Sequence, residues 1–426
     1  MKKSLFIILA LMLLCTAASV PAMAEDVKVN VNSDSLNSTG MYITDGVTMA
    51  GLDDYIRFAG ADYKWATPDT VVINEDGKEL SLTIGQLTAI LDGKEVKLPK
   101  AAVKNSGRVM IPLRFVSDAF GYNVAWNGSQ YLVSLSRKET KDGMTPEELL
   151  AKAGQESQKV NTYTMSGSMD IDIDLSAGEE GKMPPQKVKT DLTGQFQNNP
   201  LKVHMKQTIK PEEKIPGMDN MAIETYMTEN KMYMKMPGQE WTVMDMPFPA
   251  DFIKQQQDIQ SNPLKAVEQM KEMGMLCNYG NDITIDGQDY YVVNATLDMQ
   301  KFREGIQKIA GEAMKSLPAG ASGGDQAQAQ KLMEEMFKNM EIDYFCTSYI
   351  NKKTLISDLI KMDMKLKFDM SITADQKTEK ISMSQNAKGE FRITDLGKPF
   401  AAPDVSKAVS MDKMMEDLKK DIAETE

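Results

Sequence analysis

The chain has 426 residues, with 61 acidic and 49 basic side chains for a formal net charge of −12, one histidine, three cysteines and 34 methionines. That length exceeds one ordinary hydrophobic core and implies two or more domains. The acidic balance excludes nucleic acid and anionic headgroups as bulk electrostatic partners.

Residues 1–24 carry two lysines, an apolar run from Leu5 to Leu14, and Ala22-Met23-Ala24 in the pattern of a signal-peptidase site. They predict a secretory signal cleaved after Ala24 and an extracytoplasmic protein, secreted or wall-associated. Leu13 and Leu14 stand where a lipid anchor at Cys15 needs small residues. No later segment reaches the ~20 apolar residues of a membrane span. Without Lys2 and Lys3 the net charge becomes −14. Cys277 and Cys346 remain, and an oxidising compartment predicts a disulfide between them, worth about 4 kcal/mol in the chain-entropy model. Two buried free thiols are the alternative.

The segment GLDDYIRFAGADYKW at 51–65 recurs as PLRFVSDAFGYNVAW at 112–126. It aligns Leu52 with Leu113, Gly60 with Gly121 and Trp65 with Trp126, so a module over 28–138 is duplicated. Each copy predicts a short amphipathic helix, Leu52 to Ala59 and Leu113 to Phe120, closed by its glycine. A strand with an inward tryptophan follows each. Strand runs at 70–73 and 80–84 flank an Asp76-Gly77 turn.

In the second copy Gly107, Arg108, Pro112, Leu113, Arg114, Phe115, Val116, Gly121, Val124 and Trp126, with Gly85 and Gly93 upstream, closely resemble the copper amine oxidase N-terminal-like domain of secreted Firmicute proteins. Gly51 and Asp53 replace the Pro and Arg in the first copy. The resemblance implies a non-catalytic stalk or docking module with a cell-envelope component as partner; Arg114 is a docking candidate, although an arginine there more often pairs with a local carboxylate or strand-end carbonyl. It implies no copper chemistry, because a topaquinone site needs histidine ligands and His204 is the sole imidazole. No cofactor is expected.

The second domain, 145–405, opens on a helix capped by Thr145 with Glu148 three residues on. In TYTMSGSMDIDIDL the odd positions Tyr163, Met165, Met169, Ile171, Ile173 and Leu175 form an apolar face, and Asp170, Asp172 and Asp174 form a polar one. Alternation continues at 188–196, 203–209, 223–227, 232–236, 241–246, 283–297, 346–350, 360–372 and 381–393. Helices are expected at 263–276, at 299–317 and, after PAGASGGDQ, at 327–340. The linker near Lys138 to Thr145 is long enough for hinge motion. Residues 406–426 form an acidic amphipathic tail.

This order of helix, meander, helical insertion and returning strands resembles the half-barrel of lipoprotein-localisation and lipoprotein-carrier proteins (LolA/LppX-like), and NKMYMKMPGQEWTVMDM resembles a hairpin of a related family of secreted Firmicute proteins. The resemblance implies a concave side that shelters an acyl chain or other apolar ligand, or a lipidated protein. Its lining candidates are Met165, Met169, Ile171, Met232, Met234, Met236, Trp241, Met362, Met364 and Phe368. Methionines at strand period point first to one packed face and next to an adaptable apolar lining, with soft-metal binding by thioethers the least favoured reading. Asp170, Asp172 and Asp174 lack the glycine and glutamate of a calcium loop and are read as a solvated strand face.

The expected fold class is α+β: a small duplicated α/β module followed by a large curved antiparallel sheet, a half-barrel, packed on helices. The expected function is a secreted, non-catalytic envelope protein that binds an apolar ligand. The alternative is a structural wall or surface protein with a fully packed sheet and protein or glycan partners. No G-x-S-x-G elbow or other nucleophile and base pairing stands out.

Overall fold

The computed structural model describes residues 27–31, 34–36, 40–128, 130–177, 181–182, 186–212, 221–245, 262–316, 339–374 and 377–411. The signal segment 1–24, Met246, the PAGASGGDQ linker, the tail from 412 and all but the last two residues of the helix expected over 327–340 lie outside them, and the end of that stretch, Met340, opens a strand instead. The first domain comprises β1 (Lys28–Val31), β2 (Asp34–Leu36), β3 (Tyr42–Thr44), β4 (Val47–Gly51), α1 (Leu52–Ala59), β5 (Asp62–Thr67), β6 (Thr70–Glu75), β7 (Lys78–Thr83), β8 (Thr88–Leu91), β9 (Lys94–Lys97), β10 (Val103–Asn105), β11 (Arg108–Pro112), α2 (Leu113–Ala119), β12 (Asn123–Asn127) and β13 (Leu132–Ser136).

The repeat is physical. β4 and β11 pair antiparallel, with Ala50 opposite Ile111, and each runs straight into its helix. One core receives both copies, Leu52, Tyr55 and Phe58 beside Leu113, Val116 and Phe120. As expected, α1 ends on Gly60 at φ +68, whose N–H donates to the Ile56 carbonyl. The Asp76-Gly77 turn likewise has two positive φ angles. The expected inward tryptophans are a correction. Trp65 and Trp126 lie opposite buried Val71 and Val133, yet they are 42% and 39% exposed, because their strands run past the edge of the core.

The second domain holds α3 (Pro146–Lys159), β14 (Thr162–Ala177), β15 (Gly181–Lys182), β16 (Gln186–Gln197), β17 (Lys202–Pro211), β18 (Met221–Thr228), β19 (Lys231–Lys235), β20 (Thr242–Asp245), α4 (Pro263–Glu272), β21 (Met275–Ile285), β22 (Gln288–Leu297), α5 (Met299–Ser316), β23 (Met340–Asn351), β24 (Ser357–Ala374), β25 (Lys377–Thr394) and β26 (Val409–Ser410). All strands join one 13-stranded sheet in the order β21-β22-β23-β24-β25-β14-β16-β17-β18-β19-β20-β26, with β15 on β14. The fold is mostly β, a large sheet curled into a half-barrel with few helices.

Thr145 caps α3 in a full capping box with Glu148. The helix expected to reach residue 276 stops at Glu272. Gly274, at φ +70, redirects the chain into β21. The alternating run at 283–297 divides at Asp286-Gly287 into the β21–β22 hairpin.

The first domain docks on the outer face of β21–β24. Arg57, at the end of α1, pairs with Asp343 and lies 3.6 Å from Asp363. Asn278 Nδ2 donates to the Phe58 carbonyl at 2.6 Å. A Cβ on Gly60 would come within 2.2 Å of Asn278 Oδ1 and 2.5 Å of the Tyr279 carbonyl. The linker is also tied down. Glu139 accepts from the Tyr279 N–H at 2.8 Å, Lys141 Nζ donates to the Gly280 carbonyl at 2.8 Å, and the Tyr279 hydroxyl donates to the Met144 carbonyl at 2.8 Å. The hinge expected at 138–145 is therefore a strap along β21.

The expected disulfide is also corrected. No disulfide joins Cys277 and Cys346. Both lie opposite Ala295, on the two strands flanking β22. Two strand spacings, about 10 Å, exceed the reach of a bridge.

Behind the docking surface Glu75 is 2% exposed and pairs with Arg137 at 2.7 Å, while Tyr55 donates to its other oxygen at 3.0 Å. Burial outweighs both partners and raises its pKa from 4.5 to about 7. The native state thus holds a proton that the unfolded chain has already lost, so stability falls as pH rises from about 4.5 to 7. At about 1.4 kcal/mol per pKa unit, the fall approaches roughly 3 kcal/mol. Glu75→Gln should flatten that slope in urea denaturation at pH 5 and pH 8; an unchanged slope would contradict it. Gly60→Ala should destabilise the chain by about 2 kcal/mol or more through left-handed strain and lost docking, read in the same assay.

Candidate functional site

Register across the sheet sorts its side chains into two faces. One row runs Cys277, Ala295, Cys346, Met362, Gly389, Met169, Thr190, Ile209, Met221 across nine adjacent strands. The neighbouring rows carry Met364, Ala387, Ile171 and Val188 on one side, and Ile360, Phe391, Gly167, Leu192 and Ile223 on the other. Nearer the strand ends come Met165, Gly194, Met205, Thr225 and Met234, then Phe196, Val203, Met227, Met232 and Met244. This inner face is mostly apolar and carries no charge in these rows, with Gln207, between Leu192 and Ile223, and Ser348, opposite Ile360, among its few polar members.

The outer face is its complement. Asp170 stands opposite Lys189 and Lys388, and Asp172 opposite Lys187. Lys388 pairs with Asp363 at 3.2 Å and Lys206 with Glu224 at 3.1 Å. Asp170 and Asp172, read as part of a solvated face, belong to this cross-strand charge ladder, and Asp174 continues their face opposite Ser384.

The two halves of the inner face differ in cover. Over β21–β24, Leu149 and Ala153 of α3 pack on Cys277, Tyr291, Val293 and Ile350. Met299, Phe302 and Ile306 of α5 pack on Met340, Leu366, Phe368 and Met383. β14 meets the α5 cluster through Ile173 and Leu175 near its C-terminal end, whereas Met165, Met169, Leu192, Met205, Met232 and Met234 share no core cluster with a described helix and remain half-buried. This uncovered half is the candidate site.

Its floor is shaped by three glycines. A Cβ on Gly389 would meet the Phe391 ring at 2.9 Å, one on Gly167 the same ring at 2.5 Å, and one on Gly194 the Phe196 ring at 2.9 Å. The rings therefore lie flat over bare backbone, as when an aromatic covers a cross-strand glycine. Tyr163 stacks on Phe196 at 4.9 Å and 4°. The result is a shallow aromatic floor flanked by thioethers, without a charged side chain in the rows above.

Of the predicted lining residues, Met165, Met169, Ile171, Met232, Met234, Met362 and Met364 share this face. Phe368 shares it too but is closed in the α5 core at 3% exposure. Met236 falls in the turn after β19. Trp241 is a correction: it lies on the outer face, its ring 6.5 Å from that of His204 and Lys235 Nζ 6.0 Å from its centroid. There it joins Tyr226, Tyr233 and Phe400. Arg114 is exposed on α2, and among the described residues no carboxylate pairs with it. Met205, Leu192, Phe196, Met227 and Phe391 were not singled out from sequence, since only register places them beside Met165. A cleft of about 200 Å³ at the end of the stacked Tyr163–Phe196 pair, lined also by Thr162, Gln195 and Phe400, is smaller than ordinary ligand pockets. Among the described residues no group of three His, Cys, Asp or Glu side chains could hold a metal ion, and no helix is long and apolar enough to cross a membrane.

The fold and this face define a two-domain half-barrel protein. The chain belongs to DUF6612, a family of unknown function whose sequence model matches residues 145–408. Residues 29–135 match the copper amine oxidase N-terminal domain. Among solved structures, the chain is similar to LprF from Mycobacterium bovis, at 15% identity and TM-score 0.28, over 61% of this chain and 96% of that one. It is similar to the Mycobacterium tuberculosis lipoprotein LppX at 8% identity and TM-score 0.26, over 61% and 99%. A putative outer membrane lipoprotein-sorting protein domain from Vibrio parahaemolyticus follows at 9% and 0.20, over 58% and 90%. No curated protein matches the sequence.

Gly389→Ala should lift the Phe391 ring from the floor and destabilise the sheet by about 1–3 kcal/mol, measured by urea denaturation; an unchanged midpoint would mean that the ring does not depend on the bare backbone.

Proposed function

We propose that this is a non-catalytic extracytoplasmic protein whose half-barrel binds an apolar ligand, a lipid or the acyl chain of a lipidated protein, along the inner face of β14 and β16–β20. The observation that carries the reading is that Met165, Met169, Leu192, Met205, Met227, Met232, Met234 and Met244 stay half-buried on a mostly apolar, uncharged surface across six adjacent strands. Soluble proteins rarely leave so much contiguous apolar surface open unless something binds it. Unbranched thioethers suit a lining that must fit chains of differing length and bend. The duplicated module, fixed to the outer face, serves as the docking part, with exposed Arg114 available to an envelope component. Residues 1–24 act as a signal removed after Ala24.

A fluorescent fatty-acid probe should bind the 25–426 chain saturably. Met169→Gln, Met205→Gln and Met234→Gln should each weaken it about 5- to 10-fold, on the scale of roughly 1 kcal/mol per apolar contact exchanged for amide. Lys189→Gln and Lys210→Gln on the outer face should leave it unchanged. Absence of saturable binding, or equal losses from both faces, would contradict the site.

A further inference from the structure

The β12–β13 hairpin of the module presents an aromatic corner that the core does not use. Trp126 and Tyr131 are 39% and 40% exposed. Their rings stand at 90° with centroids 6.2 Å apart. Tyr131 holds φ +49, a region that bulky residues rarely occupy and that clusters at ligand clamps. The non-glycine residues at positive φ among those described are mostly Asp or Ser in turns. Leu355, the other bulky one, packs against a core. Tyr131 has no such packing reason. Its carbonyl accepts from the Lys28 N–H at 2.8 Å, which fixes the backbone while the ring is left facing solvent.

The chemistry beside the corner is mostly amide, with the exposed Lys28 on β1 as a neighbouring charge. Residues 119–136 contain no charged side chain, and 28–138 carry twelve acidic and twelve basic groups, so the net negative charge of the chain lies elsewhere. Asn127 Nδ2 donates to Gln130 Oε1 at 2.8 Å, and Asn123 is exposed on the same strand. The equivalent tryptophan of the first copy differs: the Lys104 ammonium sits 5.6 Å from the centre of the Trp65 ring, and Asp62 and Lys64 flank it in sequence. We propose that Trp126 and Tyr131 form a binding site for a neutral glycan, whose C–H faces stack on the two rings and whose hydroxyl or acetamido groups take hydrogen bonds from the adjacent amides. An anionic polymer would find the Lys28 ammonium beside the corner, too little for a charge-led site. The site is distinct from the inner face of the half-barrel and stands whether or not that face binds a lipid.

The test is calorimetric titration of the 25–426 chain with two uncharged probes, chitohexaose and cellohexaose, and with polyglutamate as an anionic control. At least one hexasaccharide should bind, and Trp126→Ala and Tyr131→Ala should each weaken it tenfold or more while Trp65→Ala leaves it unchanged. All three variants remove exposed rings, and an unaltered thermal melt confirms that each is folded. Absence of binding to both hexasaccharides, equal loss from Trp65→Ala, or preference for polyglutamate would overturn the proposal.

Discussion

A strand can bury only every second side chain, and in this sheet one phase of that alternation is kept through eleven successive pairings. Met169 on β14 faces the same way as Gly389 on β25, Met362 on β24 and Cys346 on β23, and in the other direction as Thr190, Ile209 and Met221. A slip of one residue in any ladder would turn a row of methionines outward and a row of lysines and aspartates inward. The interruptions in register lie at Gly280/Ile283 and at Tyr349/Ile350, near one corner of the sheet. Docking of the first domain, the seats of the helices and the apolar face all follow from this phase.

The halves of that face solve the problem of exposed apolar surface differently. Over β21–β24 the cover is internal, with α3 and α5 closing on Val293, Ile350, Leu366 and Phe368, and the outer side carries the docked module through Arg57 and Asn278. That half is a packed wall. Over β14 and β16–β20 the lining is dominated by methionine, with flat rings over Gly167, Gly194 and Gly389 in place of bulky floor residues. Rigidity on one side and adaptable lining on the other is what a sheet needs in order to hold a variable apolar guest against a fixed base.

Local rules read well from the sequence and long-range ones less so. The helix stop at Gly60, the Thr145 capping box, the Asp76-Gly77 turn and the alternation of 163–175 depend on neighbours a few residues away, and each stands in the fold. The repeat was legible because Leu52, Gly60 and Trp65 recur at one offset. Pairing was not legible. Cys277 and Cys346 look like partners until β22 is found between them, and Trp241 looks like lining until its ladder places it beside His204. Trp65 and Trp126 have the inward phase but sit beyond the core edge, a position that alternation alone does not encode. Helical composition at 263–276 hid the start of β21, because the Gly274 turn interrupts the pattern. The module's match to its family was readable from the spacing between Gly107 and Trp126, whereas its docked position rests on a glycine, an arginine and an asparagine that no local pattern marks.

The central claim is that the uncovered inner face holds an apolar guest. Native mass spectrometry of the protein purified from its own cell envelope, without detergent, tests it most directly. A mass excess of one lipid or acylated peptide per chain, released on denaturation and identified in the organic extract, is the predicted result. A chain that repeatedly flies at its bare polypeptide mass, while a lipid-loaded control protein keeps its ligand under the same conditions, would contradict it.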